Sequence, residues 1–390
     1  MNAELNKTFS QPKKVLHVVN IAFVLPYFIG EQFAFFKQKG VIFHVACSPS
    51  AFFDQYITEE KLFGHPIPIL RSVNPFVDLI SIYKLYRLIK SEKIDVVIGH
   101  TPKGGLLAMT ASLLAGVSQR IYFRHGLMYE TSIGFRRKLL KAIESITGLM
   151  AKKVVCVSPS VLAVSEMEKL SPPKKNILLH KGTCNGINLQ HFSKAALTPA
   201  VTLSLRNKYN IGQTDRVFGY VGRLVNDKGI RELIEAWQLL LKEFTQIKLL
   251  LIGPFEDRDA LNEDIKGFIT KEPSIIHTGL ILDVLPYYGL MDIFILPSHR
   301  EGFPTVVLEA SAMEIPVITT KATGCIDAIV NDYTGKFVSS DPQDIKNAMA
   351  YYLKNPGIAH QHGLNGRLLM ERDYAQELIW TQIEDKVLEL

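Results

Sequence analysis

Cysteine is scarce in this 390-residue chain and follows no recognisable spacing. Its four copies are Cys47, Cys156, Cys184 and Cys325. Close cysteine pairs that bind zinc, and the dense cysteine frameworks of small secreted proteins, are both missing. Isolated thiols of this kind are typical of proteins that work in a reducing compartment.

An apolar stretch long enough to cross a bilayer is missing as well. The most apolar segment near the start, residues 15–29, is interrupted by His17, Asn20 and Pro26, whereas a membrane-spanning helix needs about 20 predominantly apolar residues. No signal-peptide pattern precedes this segment, and residues 1–13 are predicted to form a flexible tail. The sequence therefore predicts a cytoplasmic protein without a transmembrane segment.

Signatures of dinucleotide and nucleic-acid binding are also missing. Lys14–Asn20 reads as the first strand, but the turn after it, Ile21-Ala22-Phe23, has no Gly-x-Gly-x-x-Gly, which argues against a standard dinucleotide-binding start. No helix-turn-helix, zinc-finger or RNA-binding pattern is found, so no nucleic-acid partner is expected.

Charge is present but unevenly distributed. Residues 1–200 contain 25 Lys and Arg against 12 Asp and Glu, a balance of +13, and residues 201–390 contain 19 against 26, a balance of −7. A basic N-terminal half suits an anionic partner such as lipid headgroups or a diphosphate-bearing molecule. A merely solvated basic surface is the alternative.

Length and pattern together indicate two α/β domains. A chain of 390 residues is long for one core, and strand-like runs alternate with helical patterns in both halves, which predicts doubly wound parallel sheets. Turn formers are concentrated at Gly182–Asn188. We expect doubly wound domains over residues 14–198 and 199–370, followed by a further amphipathic helix over residues 371–390. Ligands in such sheets bind beyond the carboxyl ends of strands.

The stretch Glu301–Ala310, EGFPTVVLEA, follows a predicted strand, Asp292–Pro297. A helix is predicted over Thr305–Met313, and Pro304 just before it suits a first helical position. A helix start after a strand offers free N–H groups and a positive dipole end to an anion. Glu301 and Glu309 bracket this start, either as ligand contacts or as solvated carboxylates.

A second candidate anion site precedes it at residues 222–229, GRLVNDKG. Arg223 and Lys228 lie on a tight turn that leads into a helix, and two such cations can hold a diphosphate without a metal. An ordinary surface turn would have a similar composition. In the first half, His125 is the last residue of the predicted strand Arg120–His125, and an imidazole at this carboxyl end is either structural or functional.

The segment Phe135–Ala151 predicts an amphipathic helix. Arg136, Arg137, Lys138 and Lys141 are concentrated in its first turns. Cations at a helix N-terminus oppose the dipole, so helix stability does not explain them. The helix is predicted either to contact anionic lipid or to pack on the core with a basic rim.

GRLVNDKG and EGFPTVVLEA together resemble the retaining glycosyltransferases of family 4, whose two facing Rossmann-like domains form the GT-B fold. The similarity extends over nearly the whole chain in the family's order. It implies that residues 14–198 and 199–370 are Rossmann-like domains and that the helix over residues 371–390 packs back on the first of them. Shorter matching stretches are Arg124-His125-Gly126, Asn185-Gly186-Ile187-Asn188, and Gly324-Cys325 with Asp327-Ala328-Ile329, Asp332 and Thr334-Gly335.

The resemblance implies that Arg223 and Lys228 neutralise the diphosphate of a nucleotide-sugar donor, preferably a UDP-sugar. Backbone N–H groups at the helix start would assist them. The residues at this start are Gly302, Phe303, Pro304 and Thr305.

The resemblance also implies that Glu309 accepts hydrogen bonds from the ribose and that Glu301 contacts the donor sugar. His125 would reach the donor from the first domain. Together with Arg223 and Lys228, Glu301 and His125 form the expected catalytic set, which stabilises oxocarbenium character and the leaving group.

The chain departs from the family pattern in two places. Residues 21–26, Ile-Ala-Phe-Val-Leu-Pro, are bulky where family members often carry Gly-Gly, which favours an apolar acceptor. Asp257-Arg258-Asp259 matches the metal-binding signature of a different glycosyltransferase fold, but Asp259 suits a helix N-terminus. We therefore expect no metal and no cofactor.

The expected reaction is transfer of a hexose or N-acetylhexosamine to a polyprenyl-diphosphate-linked saccharide during capsule or O-antigen assembly. The enzyme would lie in the cytoplasm, peripherally on the anionic surface of the inner membrane. Two alternatives stay open: a non-hydrolysing sugar-nucleotide epimerase of the same fold, and a nucleotide-sugar-binding protein without turnover.

Overall fold

The computed structural model describes residues 12–72 and 74–390. The predicted tail, residues 1–13, therefore lies mostly outside the described residues. Two parallel sheets, one in each half of the chain, confirm the predicted α/β architecture of two doubly wound domains. The boundaries at residues 198 and 370 stay predictions.

Within the described residues the N-terminal sheet has seven strands, all parallel, in the order β3-β2-β1-β4-β5-β6-β7. Its central strands β1, β4 and β5 are buried on both faces, as expected for a sheet with crossover helices on each side. The strands are β1 Lys14–Val18, β2 Ile42–Cys47, β3 Phe63–Pro66, β4 Val96–His100, β5 Gln119–Arg124, β6 Lys153–Cys156 and β7 Asn176–Leu178.

The described C-terminal sheet has six parallel strands in the order β10-β9-β8-β11-β12-β13. Its order reverses between β8 and β11, which is where open parallel sheets bind ligands. The strands are β8 Arg216–Val221, β9 Ile247–Ile252, β10 Ile275–His277, β11 Ile293–Leu296, β12 Val317–Thr320 and β13 Gly335–Val338.

Helices cover both faces of each sheet and separate most of the strands. In the N-terminal half they are α1 Leu25–Phe28, α2 Gln32–Lys37, α3 Ala51–Glu59, α4 Pro75–Glu92, α5 Pro102–Leu114, α6 Gly134–Met150 and α7 Pro159–Met167. In the C-terminal half they are α8 Pro199–Lys208, α9 Ile230–Leu240, α10 Glu263–Lys271, α11 Leu285–Tyr288, α12 Thr305–Ala312, α13 Pro342–Lys354, α14 Pro356–Asp373 and α15 Gln376–Ile383.

Three local boundaries involve proline or glycine. β3 ends at Pro66, and the N–H of Ile67 makes one further hydrogen bond to the carbonyl oxygen of Cys47. Gly30, whose φ is +49°, separates α1 from α2. Pro304 is the N-cap of α12 rather than its first residue.

The C-terminal helix crosses back to the N-terminal domain, as predicted. Ile379, Trp380 and Ile383 of α15 join the core of that domain. The Nε1 atom of Trp380 donates to Asn185 Oδ1 at 3.0 Å. A Cβ atom on Gly186, at φ +71°, would lie 2.8 Å from the backbone of α15, so the Asn185-Gly186 stretch forms the socket for this helix.

Candidate active site

The two domains meet at the loops that follow β5 and β11. A Cβ atom on Gly302 would lie 2.0 Å from the carbonyl oxygen of His125, a distance that side chains do not tolerate. Gly126 faces the same backbone and has a φ of +127°. Glycine is therefore required on both sides of this contact, which brings His125 to the start of EGFPTVVLEA.

Polar contacts hold the domains together beside this point. Asp327 accepts a hydrogen bond from the backbone N–H of Ser160 at 2.9 Å, and Ser160 Oγ accepts one from the N–H of Gly324 at 2.8 Å. Ser160 lies in the first turn of α7, where a carboxylate also meets the positive end of the helix dipole. The matching stretch around Asp327 thus serves as a domain contact.

Glu301 and Lys228 form an ion pair within the cleft. Ser298 Oγ donates to the same carboxylate oxygen of Glu301 at 2.9 Å. The two side chains are only 14% and 19% exposed, so each charge depends on the other for compensation. Lys228 ends a 3₁₀ turn, and Gly229 then turns the chain through φ +69° into α9.

The N-terminus of α12 follows the loop that carries Glu301, and no side chain caps it. Pro304, the N-cap, makes no side-chain hydrogen bond, and the first turn of α12 contains no acidic residue. The first N–H groups of a helix lack intrahelical partners and carry partial positive charge. An anion is therefore favoured beside Gly302, Pro304 and Thr305.

Phe303 is placed differently from its neighbours. Its ring packs against the cores of both domains and lies 5.4 Å from the ring of Tyr374. A Cβ atom on Gly182 would approach it to 3.0 Å. The side chain of Phe303 thus acts as an apolar wedge between the domains, leaving its backbone for the anion site.

Arg223 pairs with Glu256, a residue that the sequence did not single out. The same carboxylate accepts a hydrogen bond from Arg71 of the N-terminal domain at 2.8 Å. Glu256 therefore bridges the cleft, and its two arginines hold its pKa below the usual range against partial burial. In this arrangement the guanidinium of Arg223, which was expected to bind the diphosphate, is paired with Glu256 instead.

Glu309 lies on the buried face of α12 and is 6% exposed. Burial raises its pKa to about 7, although the hydroxyl of Tyr288 donates to Glu309 Oε2 at 2.7 Å and lowers it. The charge of Glu309 also contributes to raising the pKa of Tyr27, which belongs to the N-terminal domain. Glu309 is thus buried close to the domain interface, and its hydrogen-bond partner Tyr288 is a residue that the sequence did not indicate.

The imidazole of His125 is uncharged in this setting. Its ring stacks on Phe28, with centroids 3.7 Å apart, and its Nε2 lies 2.9 Å from Nδ1 of His100. Burial lowers the pKa of His125 to about 3. Sequence reasoning missed His100, although it also ends a parallel strand and the same rule that selected His125 applied to it.

The four basic residues of α6 divide into two pairs. Arg137 and Lys141 lie 3.6 Å and 2.8 Å from the carboxylate of Glu168, so they belong to the packing between α6 and the end of α7. Arg136 and Lys138 are exposed. The expected four-residue basic face is therefore reduced to two side chains.

The apolar side chains of α6 are divided between core and solvent, since Leu140 and Met150 pack against the core of the N-terminal domain while others are exposed. Phe135 is 80% exposed, Ile146 49% and Leu149 59%. The residues of α6 that are buried are Glu144, Thr147 and Gly148.

None of the helices in the described part of the chain is long and apolar enough to span a bilayer.

The Asp-x-Asp stretch holds a turn in place. Asp259 Oδ2 accepts the backbone N–H of Asp227 at 2.7 Å, whereas the N-cap of α10 is Asn262. The expected helix cap is thus wrong in detail, because Asp259 caps the turn of GRLVNDKG instead. Over residues 12–72 and 74–390, no three His, Cys, Asp or Glu side chains are grouped to hold a metal ion.

Two family models match the chain, one for each domain. Residues 14–158 match the model described as Glycosyl transferase 4-like. Residues 202–368 match the model described as Glycosyl transferases group 1. The second match includes GRLVNDKG and EGFPTVVLEA.

Curated relatives of similar length are glycosyltransferases. The chain is 33% identical over 374 residues to the capsular polysaccharide biosynthesis glycosyltransferase CapM of Staphylococcus aureus, which covers 95% of this chain and 96% of CapM. It is 24% identical over 323 residues to an Escherichia coli UDP-Gal:alpha-D-GlcNAc-diphosphoundecaprenol alpha-1,3-galactosyltransferase, with 80% of each chain covered.

Solved structures have the same fold. HepE from Anabaena, in complex with UDP and glucose, superposes with a TM-score of 0.81 at 16% identity and covers 97% of this chain and 100% of its own. At this identity the likeness concerns the fold alone.

Proposed function

This chain belongs to the group 1 glycosyltransferases, family 4, and we propose that it transfers a hexose or N-acetylhexosamine from a UDP-sugar to a polyprenyl-diphosphate-linked saccharide. CapM and the Escherichia coli relative, whose names include a capsular polysaccharide and a diphosphoundecaprenol acceptor, support this choice. The setting is capsule or related surface-polysaccharide assembly.

The observation that carries the proposal is the meeting of three features at one point of the cleft. The Lys228–Glu301 pair, the uncapped start of α12 and the His125 loop all adjoin Gly302. Together they supply a cation, free N–H groups, a carboxylate and an imidazole. These groups can bind a diphosphate and stabilise the charge that develops on the sugar during transfer.

Donor binding would exchange internal ion pairs for contacts with the diphosphate. Lys228 turns from Glu301 to a phosphate oxygen, and Arg223 leaves Glu256 for the same group. Glu301 then faces the sugar with an uncompensated negative charge, which stabilises positive charge developing at the anomeric carbon. Glu309, in its ionised form, accepts hydrogen bonds from the ribose hydroxyls.

The transfer retains configuration in this proposal. The bond between the anomeric carbon and the diphosphate oxygen breaks, and the acceptor hydroxyl oxygen bonds to the same face. A diphosphate oxygen takes the acceptor's proton, so UDP leaves and no protein base is needed. Lys228, Arg223 and the start of α12 stabilise the leaving diphosphate without a metal or cofactor.

The acceptor would be reached from the cytoplasmic face of the inner membrane. Helices α4, α5 and α6 lie side by side in one layer on the N-terminal sheet, and the first and last expose large apolar side chains. These include Phe76, Leu79 and Tyr83 of α4 and Phe135, Ile146 and Leu149 of α6. Arg136 and Lys138 beside this surface favour anionic lipid.

A donor panel followed by a product assay tests the enzyme assignment. UDP-, GDP- and ADP-sugars at millimolar concentration are compared by thermal shift, and the best donor is then incubated with polyprenyl-diphosphate-linked saccharides. We expect a UDP-sugar to stabilise the protein and to yield a lengthened lipid-linked product in the presence of a chelator. Stabilisation without any product, or accumulation of an epimerised nucleotide sugar alone, would contradict the proposal.

Liposome sedimentation tests the membrane surface. Reversing Arg136 and Lys138 to Glu should release the protein from anionic vesicles while nucleotide binding is kept. The matched control reverses Lys242 and Lys271, two exposed lysines of the C-terminal half, which changes the net charge equally. Equal release by both double variants would show that the charge effect is not specific to α6.

A further inference from the structure

Three histidines cross the N-terminal sheet in a single hydrogen-bonded series. His17 of β1 is in register with Ile98 of β4, and His100 lies two residues further along β4. His100 is in register with Phe123 of β5, and His125 lies two residues beyond that. Side chains two residues apart share one face of a sheet, so the three rings project from the same face.

The rings are joined end to end through their nitrogen atoms, and neighbouring ring planes are inclined by 17° and 30°. His17 Nδ1 lies 3.0 Å from His100 Nε2, and His100 Nδ1 lies 2.9 Å from His125 Nε2. Ring centroids are 5.3 Å and 5.2 Å apart. Phe28 covers the outer ring and Phe33 meets the innermost ring edge-on.

All three imidazoles are neutral near pH 7. His17 and His100 are buried, with 5% and 1% exposure, while His125 is partly exposed at the contact with Gly302. Burial lowers the pKa of His17 and of His125 to about 3 and that of His100 well below its usual value. The series therefore carries protons at fixed ring positions but no charge.

Neutral histidines in series have only two arrangements of their protons. Each ring has one N–H donor and one acceptor nitrogen, so both hydrogen bonds must run in the same direction. Within the described residues the one side-chain hydrogen bond of His17 is made by Nδ1, and its ring packs against Phe33 and Phe43 at the wall of a small, mostly apolar cavity. In apolar surroundings an N–H without an acceptor is a rarer and costlier defect than an acceptor nitrogen without a donor, so the proton of His17 belongs on Nδ1.

That choice determines the state of the other two rings. His17 Nδ1–H donates to His100 Nε2, and His100 Nδ1–H donates to His125 Nε2. The remaining proton of His125 must then be on Nδ1, which makes no hydrogen bond within the described residues and can donate to a ligand.

We infer that His17 and His100 are positioning residues of the transferase, which hold His125 as a neutral Nδ1–H tautomer that donates a hydrogen bond to the nucleotide sugar. The inference rests on the proposed function for the identity of the ligand. The tautomer itself does not depend on it.

A strained residue adjoins the centre of the series. Thr101, directly after His100, has φ +63° and ψ 156°, a conformation that non-glycine residues rarely adopt and that is concentrated at functional sites. Its side chain caps α5. The sharp turn at Thr101 ends β4 where His100 can reach both partners.

The same sheet contains a matched control. His44 Nδ1 lies 3.0 Å from His65 Nε2, with rings 5.3 Å apart and nearly parallel. This pair lies on β2 and β3, at the edge of the sheet, and has no hydrogen bond to His125. His44→Phe therefore removes the same type of bond without touching the series.

Nitrogen NMR on protein labelled with ¹⁵N-histidine reads the tautomers directly, with His125→Phe used to assign the signals. We expect the His125 proton on Nδ1 in the wild type, and exchange between both tautomers in His100→Phe. A wild-type His125 protonated on Nε2 would overturn the inference. This readout needs no turnover, so it stands apart from any failure of the proposed reaction.

Kinetics supply the second measurement. His100→Phe should lower kcat roughly 10-fold to 100-fold, as is typical when a residue that orients a functional histidine is lost, with stabilisation by UDP retained. His100→Asn, whose amide can still donate toward His125, should recover most of the rate, and His44→Phe should match the wild type. Equal rates for His100→Phe and His44→Phe would refute a positioning role.

Discussion

The buried carboxylate of Glu309 should make the stability of the C-terminal domain fall as the pH rises. Burial raises its pKa from 4.5 to about 7 in the folded protein. Below pH 4.5 both the folded and the unfolded chain hold the proton. Between pH 4.5 and 7 the unfolded chain releases it first, so stability is lost progressively over this window and the full penalty is present above pH 7.

The size of the penalty follows from the same two values. At 1.36 kcal/mol per pKa unit, a rise from 4.5 to about 7 corresponds to about 3 kcal/mol. For a domain of this size, 1 kcal/mol shifts the melting temperature by about 2–4 °C. Glu309→Gln, which cannot ionise but can still accept from Tyr288, should therefore gain roughly 6–12 °C on the wild type between pH 5 and pH 8.

Thermal unfolding of both proteins from pH 5 to pH 8 measures this difference. Tyr288→Phe serves as a second variant, because the Tyr288 hydroxyl lowers the pKa of Glu309 and its loss should move the window to higher pH. If the melting temperatures of wild type and Glu309→Gln run parallel over the whole range, the buried-carboxylate reasoning is wrong. In the same series the affinity for a UDP-sugar, whose diphosphate is esterified at both ends and does not titrate in this range, should increase through pH 7 in the wild type and stay flat in Glu309→Gln.

Three further predictions concern the cleft. Lys228→Met should weaken UDP-sugar binding about 10-fold or more in calorimetry, since it removes a charge-assisted contact and leaves Glu301 unpaired; unchanged affinity would exclude Lys228 from the donor site. Glu256→Gln should tighten UDP binding several-fold by releasing Arg223, and a weaker affinity would show that Glu256 supports the ligand instead. Gly302→Ala should separate the two loops, because its Cβ would lie 2.0 Å from a carbonyl oxygen, and should abolish transfer while the far-ultraviolet circular dichroism is kept.

Protein groups compensate the charges of the cleft. Glu301 compensates Lys228, and Glu256 compensates Arg223 and Arg71. Arg223 and Lys228 lie in the turn GRLVNDKG after β8, and the two carboxylates lie in the loops after β9 and β11, the strands on either side of β8. A diphosphate that enters this site competes with protein carboxylates, which is why removing a carboxylate can strengthen binding.

Local patterns were sufficient to predict the architecture. Apolar runs of strand length alternating with helical periodicity require parallel sheets with crossover helices, and this was evident in both halves of the chain. The start of α12 as an anion-binding position and the turn that carries Lys228 were also evident from the sequence, because capping preferences and turn residues act within a few positions of the chain.

Partners distant in sequence were decided only by the tertiary structure. Glu256 lies beside Arg223 and His100 beside His125 because strand order places the ends of separate strands together. Tyr288 lies beside Glu309 because the end of α11 packs against α12. The exposed apolar side chains of α6 have the same origin, since a helical stripe shows which residues share a face but not whether that face meets core or solvent. The chain's own periodicity therefore determined its elements and the chemistry available in them, and long-range packing determined which charges and rings meet.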